Sequence, residues 1–431
     1  MTPERRDDLL RDAQGILRGN DHGGYTVPTH GLYPYQWNWD AGFSALGWIT
    51  FDEPRAWTEY RRLLEGQWIG GPQDGFLPSI VFHEPCDTYF PGPEEWRTPK
   101  TAPSTTSISQ PPVHATMLRW MWQRARDKPR AEAALREILP AIARHHRWWM
   151  RTRDPQASGL VTVIHPWETG RDNSPAWDAA LERVPRTTRA YARRDLDHVA
   201  SGERPTPAFY DRVVWLMDYN RACAFDPGLI VRECPFRVVD CAIVFILHRA
   251  TQDLLALADE LAIPIERAPL EDHLARTEAA TPRLWSRSLG QYVDFDLVGG
   301  APIERATSGG FLSWYAGIRT PTDQLGTLAA WLDETPFALP STRSSDAAFE
   351  PKRYWRGPIW QHMNLLIENG LRKAHHDDLA DRIEASSREL FEAGGFHEYH
   401  DPISGAGLGG RAFSWTAAVW LWRQAGGGSV G

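Results

Sequence analysis

Stretches in which apolar side chains recur every three or four residues, distributed from the first twenty residues to the last twenty, constrain this 431-residue chain more than any other feature. In 115–126 and 131–153 the apolar residues keep the 3.6-residue period, as Leu135, Ile138, Leu139, Ile142, Trp148 and Trp149 do in the second. Segment 238–261 is apolar nearly all round in its first half, which predicts a helix covered on both sides. Further helices are expected over 3–17, 56–67, 212–224, 264–285, 321–332, 357–369, 375–393 and 415–424. Alternating patterns are sparse; 160–164 and 291–298 are the best candidate strands, too few for a central sheet. No break resembles an interdomain linker, so residues 1–431 are expected to form one all-α domain with a flexible Gly-rich tail at 425–431. An open bundle cannot bury so many amphipathic faces. A closed toroid of paired helices can, with the loops of one rim shaping a central pocket.

Two loops are candidates for that rim. Segments 82–112 and 168–206 exceed the length of about 12 to 15 residues beyond which unstructured connections become uncommon. Both carry Trp or Tyr and scattered charges, so ordered lids over an active site are expected. The second loop emerges from WETGRDNSPAWD (167–178), which sets Asp172 among Trp167, Trp177 and Gly170. Indole faces suit a pyranose ring, Asn173 and Ser174 can bond hydroxyls, Gly170 permits a tight turn, and Pro175 keeps a helix from running through Asp172. Taken alone, Asp172 could equally cap a helix. Cleavage of a glycosidic bond needs a second carboxyl group, and Glu398 is the candidate, following Gly394 and Gly395 and preceding another Gly-rich turn. Glu168 and Asp178 are rival acids in the first motif; the former should face elsewhere and the latter should begin the next helix.

Composition excludes several classes. The 21 Trp residues fit a large aromatic core and a carbohydrate cleft alike, with packing accounting for half or more of them. A net charge of -8 without a basic block argues against a nucleic-acid surface. Four cysteines without a CxxC pair form neither a disulfide framework nor a zinc site, and fit a reducing compartment. The N-terminus is a charged amphipathic segment without an apolar signal region, and no long apolar run appears, so a cytoplasmic protein without a membrane span is expected. HEYH (397–400) lacks the spacing of a zinc-protease motif, His145 and His146 cannot share a metal, and TSGGF (307–311) has no P-loop lysine; no metal or cofactor is expected.

Four ordered segments carry a family resemblance: YPYQWNWDAGF (33–43), WETGRDNSPAWD, YWRGPIW (354–360) and HEYHDPISGAGLGGRAFSWTAA (397–418). They resemble glycoside hydrolase family 63 and, more narrowly, its small bacterial mannosylglycerate and glucosylglycerate hydrolases, over about residues 20–422. The resemblance implies an (α/α)6 barrel that cleaves an α-glycoside with inversion and without a metal, Asp172 acting as general acid and Glu398 as general base. It places sugar contacts on Tyr33, Trp37 and Asp40, and a glycerate clamp on Arg204 and Tyr210. Gln110, Trp167 and Gly170 are expected in the sugar subsite, Tyr354, Trp355 and Trp360 in the pocket wall, and Tyr89 in a mobile lid. A start almost directly at the barrel favours a small substrate over a protein-linked glycan. YPYQWNWD and the preceding GGYTVP lean toward mannosylglycerate. Glucosylglycerate, a neutral disaccharide, and a non-catalytic sugar-binding protein are the alternatives.

Overall fold

Twelve helices carry the architecture of the computed structural model, which describes residues 2–427. In chain order they are α1 (Pro3–Gly19), α2 (Asn38–Trp48), α3 (Glu53–Glu65), α4 (His114–Arg124), α5 (Lys128–Arg153), α6 (Cys241–Glu260), α7 (Ala268–Ala280), α8 (Leu312–Ala316), α9 (Asp323–Glu334), α10 (Gln361–Lys373), α11 (Asp377–Gly394) and α12 (Ser414–Gln424). Asp52 and Asp127 cap α3 and α5, each followed by Pro in the first turn, where a missing N–H costs nothing.

The even-numbered helices touch in a circuit. α2 packs on α4, α4 on α6, α6 on α8, α8 on α10, α10 on α12, and α12 returns to α2. Burial follows this order. Every residue of α2 is buried, as is every residue of α12 from Ser414 to Trp422. Helix α1, on the outside against α12 and α2, buries only Leu9, Ala13 and Leu17, a single stripe at four-residue spacing. α3, α5, α7 and α11 lie against α2, α4, α6 and α10 respectively. Helix α6 is long and apolar enough to cross a bilayer by composition, but 89% of that window is buried inside the protein, as a core helix requires.

The expected helices are present with shifted ends, the one expected over 212–224 as the helix Pro207–Ala222 outside those twelve, apart from two changes at element boundaries. Segment 264–285 is helical only from Ala268, ending in a 3-10 turn over Thr281–Leu284, and 238–261 begins with the short strand Val238–Val239 before α6. Helices α2 and α8 have no counterpart among the expected elements. The strand expected over 160–164 is absent: Val163 makes one isolated bridge to Val238. Segment 291–298 forms two short strands, Gln291–Tyr292 and Asp294–Asp296. Of the tail expected over 425–431, residues 428–431 lie outside the described residues.

Two small sheets matter for the site. β1 (Gln36–Trp37), β2 (Ile80–Phe82) and β3 (Ser104–Thr105) pair antiparallel in that order, with Trp37 opposite Ile80. β4 (Tyr399–His400) pairs with β5 (Gly407–Leu408), Tyr399 opposite Leu408.

Candidate active site

A cavity open to solvent, with about 830 Å³ of empty space including its mouth, is walled by the loops at one set of helix ends. It collects Tyr33, Trp37, Asp40, Tyr89, Gln110, Trp167, Gly170, Asp172, Arg204, Tyr210, Tyr354 and Glu398, twelve of the fourteen residues expected at the site. Segments 82–112 and 168–206 both contribute to its wall.

Asp172 is held in place by its neighbours rather than by its own side chain. The preceding Arg171 is buried with its Nη2 donating to Asp240 at 2.6 Å and Asp294 at 3.0 Å, while Nη1 donates to Thr307 at 2.9 Å. Trp177 closes this anchor, its Nε1 donating to the Arg171 carbonyl at 2.8 Å and its ring lying 5.0 Å below the guanidinium. Trp177 is therefore core and not a sugar platform. Asn173 likewise serves the fold: its Oδ1 accepts the Trp355 N–H at 2.9 Å and ties the Asp172 loop to the 354–360 segment. Ser174 caps the 3-10 turn over Pro175–Trp177. Gly170 has φ +70, and a Cβ there would sit 2.7 Å from the Trp39 ring, so only glycine allows the loop to turn against that indole.

Glu398 reaches the cavity from the loop before β4. Its backbone N–H donates to the Gly410 carbonyl at 2.8 Å, and the Gly410 N–H donates back to Oε2 at 3.0 Å. Tyr33 Oη donates to Oε1 at 3.1 Å, and Arg204 Nη1 lies 3.7 Å from Oε2. Gly409, at φ +70, would place a Cβ 2.5 Å from the same carboxylate oxygen, which explains a glycine there.

The two acids differ in surroundings. Burial pushes the Asp172 carboxyl up to about 7, helped by the charge of Glu398 and opposed by Arg204. Burial also raises Glu398, but Arg204, the Gly410 N–H and the Tyr33 and Tyr354 hydroxyls counteract it. Asp40, in the first turn of α2, is not its cap; it is buried on the cavity and raised well above the carboxylate range by burial and by Glu398 and Asp172. The rival acids are accounted for elsewhere. Glu168 is fully buried, accepting from Arg153 Nη2 at 2.7 Å and from the Ser109 and Ile164 N–H groups, and Asp178 opens the short helix Asp178–Glu182 and pairs with Arg356 at 2.9 Å.

Two expected wall residues are misplaced by one layer. Trp355 and Trp360 stack on each other at 4.0 Å, both 1% exposed, and support Tyr354 from behind without lining the cavity. The sequence reading missed Trp39, Trp96, Trp415, Phe413 and Asp195, all on the wall. Gln110 faces the cavity and accepts the Trp39 N–H at 3.4 Å. The Trp37 ring meets the Tyr89 ring edge-on at 5.3 Å, and Arg204 lies 4.3 Å over the Tyr354 ring. Asp240, Cys241 and Asp294 come close enough to share a cation, but Arg171 already supplies positive charge to both carboxylates.

A family model for the mannosylglycerate hydrolase MGH1-like glycoside hydrolase domain matches residues 33–416. A mannosylglycerate hydrolase of Thermus thermophilus is 44% identical over 413 residues, covering 94% of this chain and 98% of that protein. Mannosylglycerate hydrolase MGH1 of Selaginella moellendorffii is 44% identical over 421 residues, covering 96% and 86%. The crystal structure of a GH63 mannosylglycerate hydrolase from Thermus thermophilus in complex with Tris and D-glycerate superposes with a TM-score of 0.91 at 43% identity, covering 96% of this chain and all of that one.

Proposed function

The chain belongs to the MGH1-like glycoside hydrolases of family 63, and from that premise we propose that it hydrolyses mannosylglycerate to mannose and glycerate with inversion. The observation that carries this reading is the pair of carboxyl groups on one cavity: burial pushes Asp172 up to about 7, while Glu398, also raised by burial, is surrounded by donors that favour its anion. Asp172 protonates the glycosidic oxygen as the bond to the anomeric carbon breaks, and Glu398 takes a proton from the water attacking the opposite face. Trp37, Asp40, Gln110 and Trp167 hold the sugar, and Arg204 with Tyr210 receives the glycerate carboxylate; Tyr89 and Tyr354 complete the enclosure. Arg204 suits that task because its buried Nη1 has no hydrogen-bond partner.

The twelve helices are read as an (α/α)6 barrel forming one catalytic domain, supported by the inner circuit that joins the last helix to the second. A cytoplasmic location is consistent with four free cysteines.

A substrate panel with Arg204→Ala tests the assignment. Mannosylglycerate should be hydrolysed faster than glucosylglycerate or neutral mannosides by the wild type. The variant should raise KM for the anionic substrate by about 10- to 150-fold, the scale of a charged hydrogen bond, with little change for a neutral mannoside. Equal losses on both remove the reason for a glycerate aglycone.

A further inference from the structure

Tyr210 and Arg204 already hold a carboxylate. Segment 192–203 runs over the surface as short 3-10 turns, Asp195–Asp197 and Ser201–Glu203, with Arg194, Leu196, Asp197 and His198 exposed. Asp195 turns inward from it onto the cavity, its side chain only 9% exposed. Its Oδ2 accepts from Arg193 Nη2 at 2.6 Å, Tyr210 Oη at 3.0 Å and Arg204 Nε at 3.1 Å, and its Oδ1 accepts from Arg193 Nε at 3.0 Å. The Arg193 guanidinium lies 3.8 Å from the centre of the Tyr210 ring and donates to the Pro205 carbonyl. A tyrosine hydroxyl has one proton to donate, and here Asp195 receives it.

We propose that Asp195 determines specificity at the aglycone end: its carboxylate is the resident occupant of the acceptor position on Tyr210 and Arg204, and a substrate carboxylate binds there in exchange for it. This rests on the assignment of an anionic aglycone above. Two carboxylates cannot share the Tyr210 proton, and a second anion brought to the same donors meets Asp195 at close range in a poorly hydrated site, where like charges repel strongly. Arg193 faces Asp195, and Arg204 faces both Asp195 and, at 3.7 Å, Glu398; exchanging one carboxylate for another keeps the local charge unchanged on binding. A neutral aglycone gains nothing from displacing Asp195. When the glycosidic bond has been cleaved, Asp195 competes for the same donors and speeds loss of the acid product.

Calorimetric titration of D-glycerate into the wild-type enzyme, Asp195→Asn and Arg204→Ala tests this, with Asp195→Ala as a second variant that also lacks the carboxylate. Both Asp195 variants should bind D-glycerate roughly tenfold more tightly than the wild type, with methyl α-mannoside affinity unchanged. Unchanged, weaker or undetectable D-glycerate binding in both Asp195 variants overturns the exchange, while loss of binding in Arg204→Ala leaves the anionic aglycone standing. D-glycerate affinity indifferent to Arg204→Ala overturns the aglycone assignment, and the exchange with it.

Discussion

Glu168 and Asp172 stand four residues apart and end in different surroundings. Glu168 is fully buried and spends its carboxyl oxygens on Arg153 and two backbone N–H groups, which anchors the loop. Asp172 faces a cavity shared with Asp40 and Glu398 and is pushed up to about 7. Because the proposed acid works protonated, kcat/KM should fall as pH rises through about 7, and a rate profile without that alkaline limb removes Asp172 from the role. Stability carries the same signature. A carboxyl whose folded pKa is raised stabilises the fold below its unfolded pKa of about 3.9, and that contribution is lost as pH climbs through the folded value. Unfolding of Asp172→Asn should therefore gain on the wild type between pH 4 and pH 8, by about 4 kcal/mol at the upper end. Asp172 and Glu398 were legible as cavity-facing acids because each stands among glycines and aromatics in its segment. Asp195 was not: it lies among Arg193, Arg194 and Asp197 in a stretch that reads as solvated surface, and only the inward turn of one residue distinguishes it. Asn173 and Trp355 show the converse, polar and aromatic side chains with the right chemistry that the fold spends on each other.

Apolar patterning recovered the outer elements, where a helix with one wet face writes its orientation into its sequence, and also the inner helices α4, α6, α10 and α12. Helix α2 has no wet face, so Asn38–Trp48 carries no period and reads as a substrate motif. Helix α8 is too short, at five residues, to express one. Ends were displaced where proline fixes the first turn, as at Pro54 in α3. The inner packing makes a further demand on α2. A Cβ on Gly47 would lie 2.7 Å from the Ala418 Cβ and 2.8 Å from its Cα, so α2 and α12 meet nearly backbone to backbone. Gly47→Ala should cost about 1 to 3 kcal/mol in urea unfolding, although alanine is the better helix former. Gly15→Ala on α1, where a Cβ meets nothing within 4 Å, should instead stabilise by up to about 1 kcal/mol. Similar values for the two substitutions would contradict the tight inner contact.

At the scale of the whole molecule, the ring brings together residues that the chain keeps far apart. Asp172 comes from the loop after α5 and Glu398 from the loop before α12. An inverting mechanism on an α-mannoside predicts that proton NMR sees β-mannose before mutarotation equilibrates the anomers; α-mannose first would sink it. A mostly helical fold was legible from the number of amphipathic faces, whereas the order of helix contacts was not, since neighbours such as α2 and α12 are distant in sequence. Closure of the circuit by α12 against α1 and α2 has a consequence for biosynthesis. A ribosome delivers Asp172 well before Glu398, and the seat for the final helix stands open until after both. A nascent chain missing that helix already carries Asp172 and the first-half wall of the cavity but leaves α2 without the helix it packs on, so the circuit closes only once translation has run through to α12.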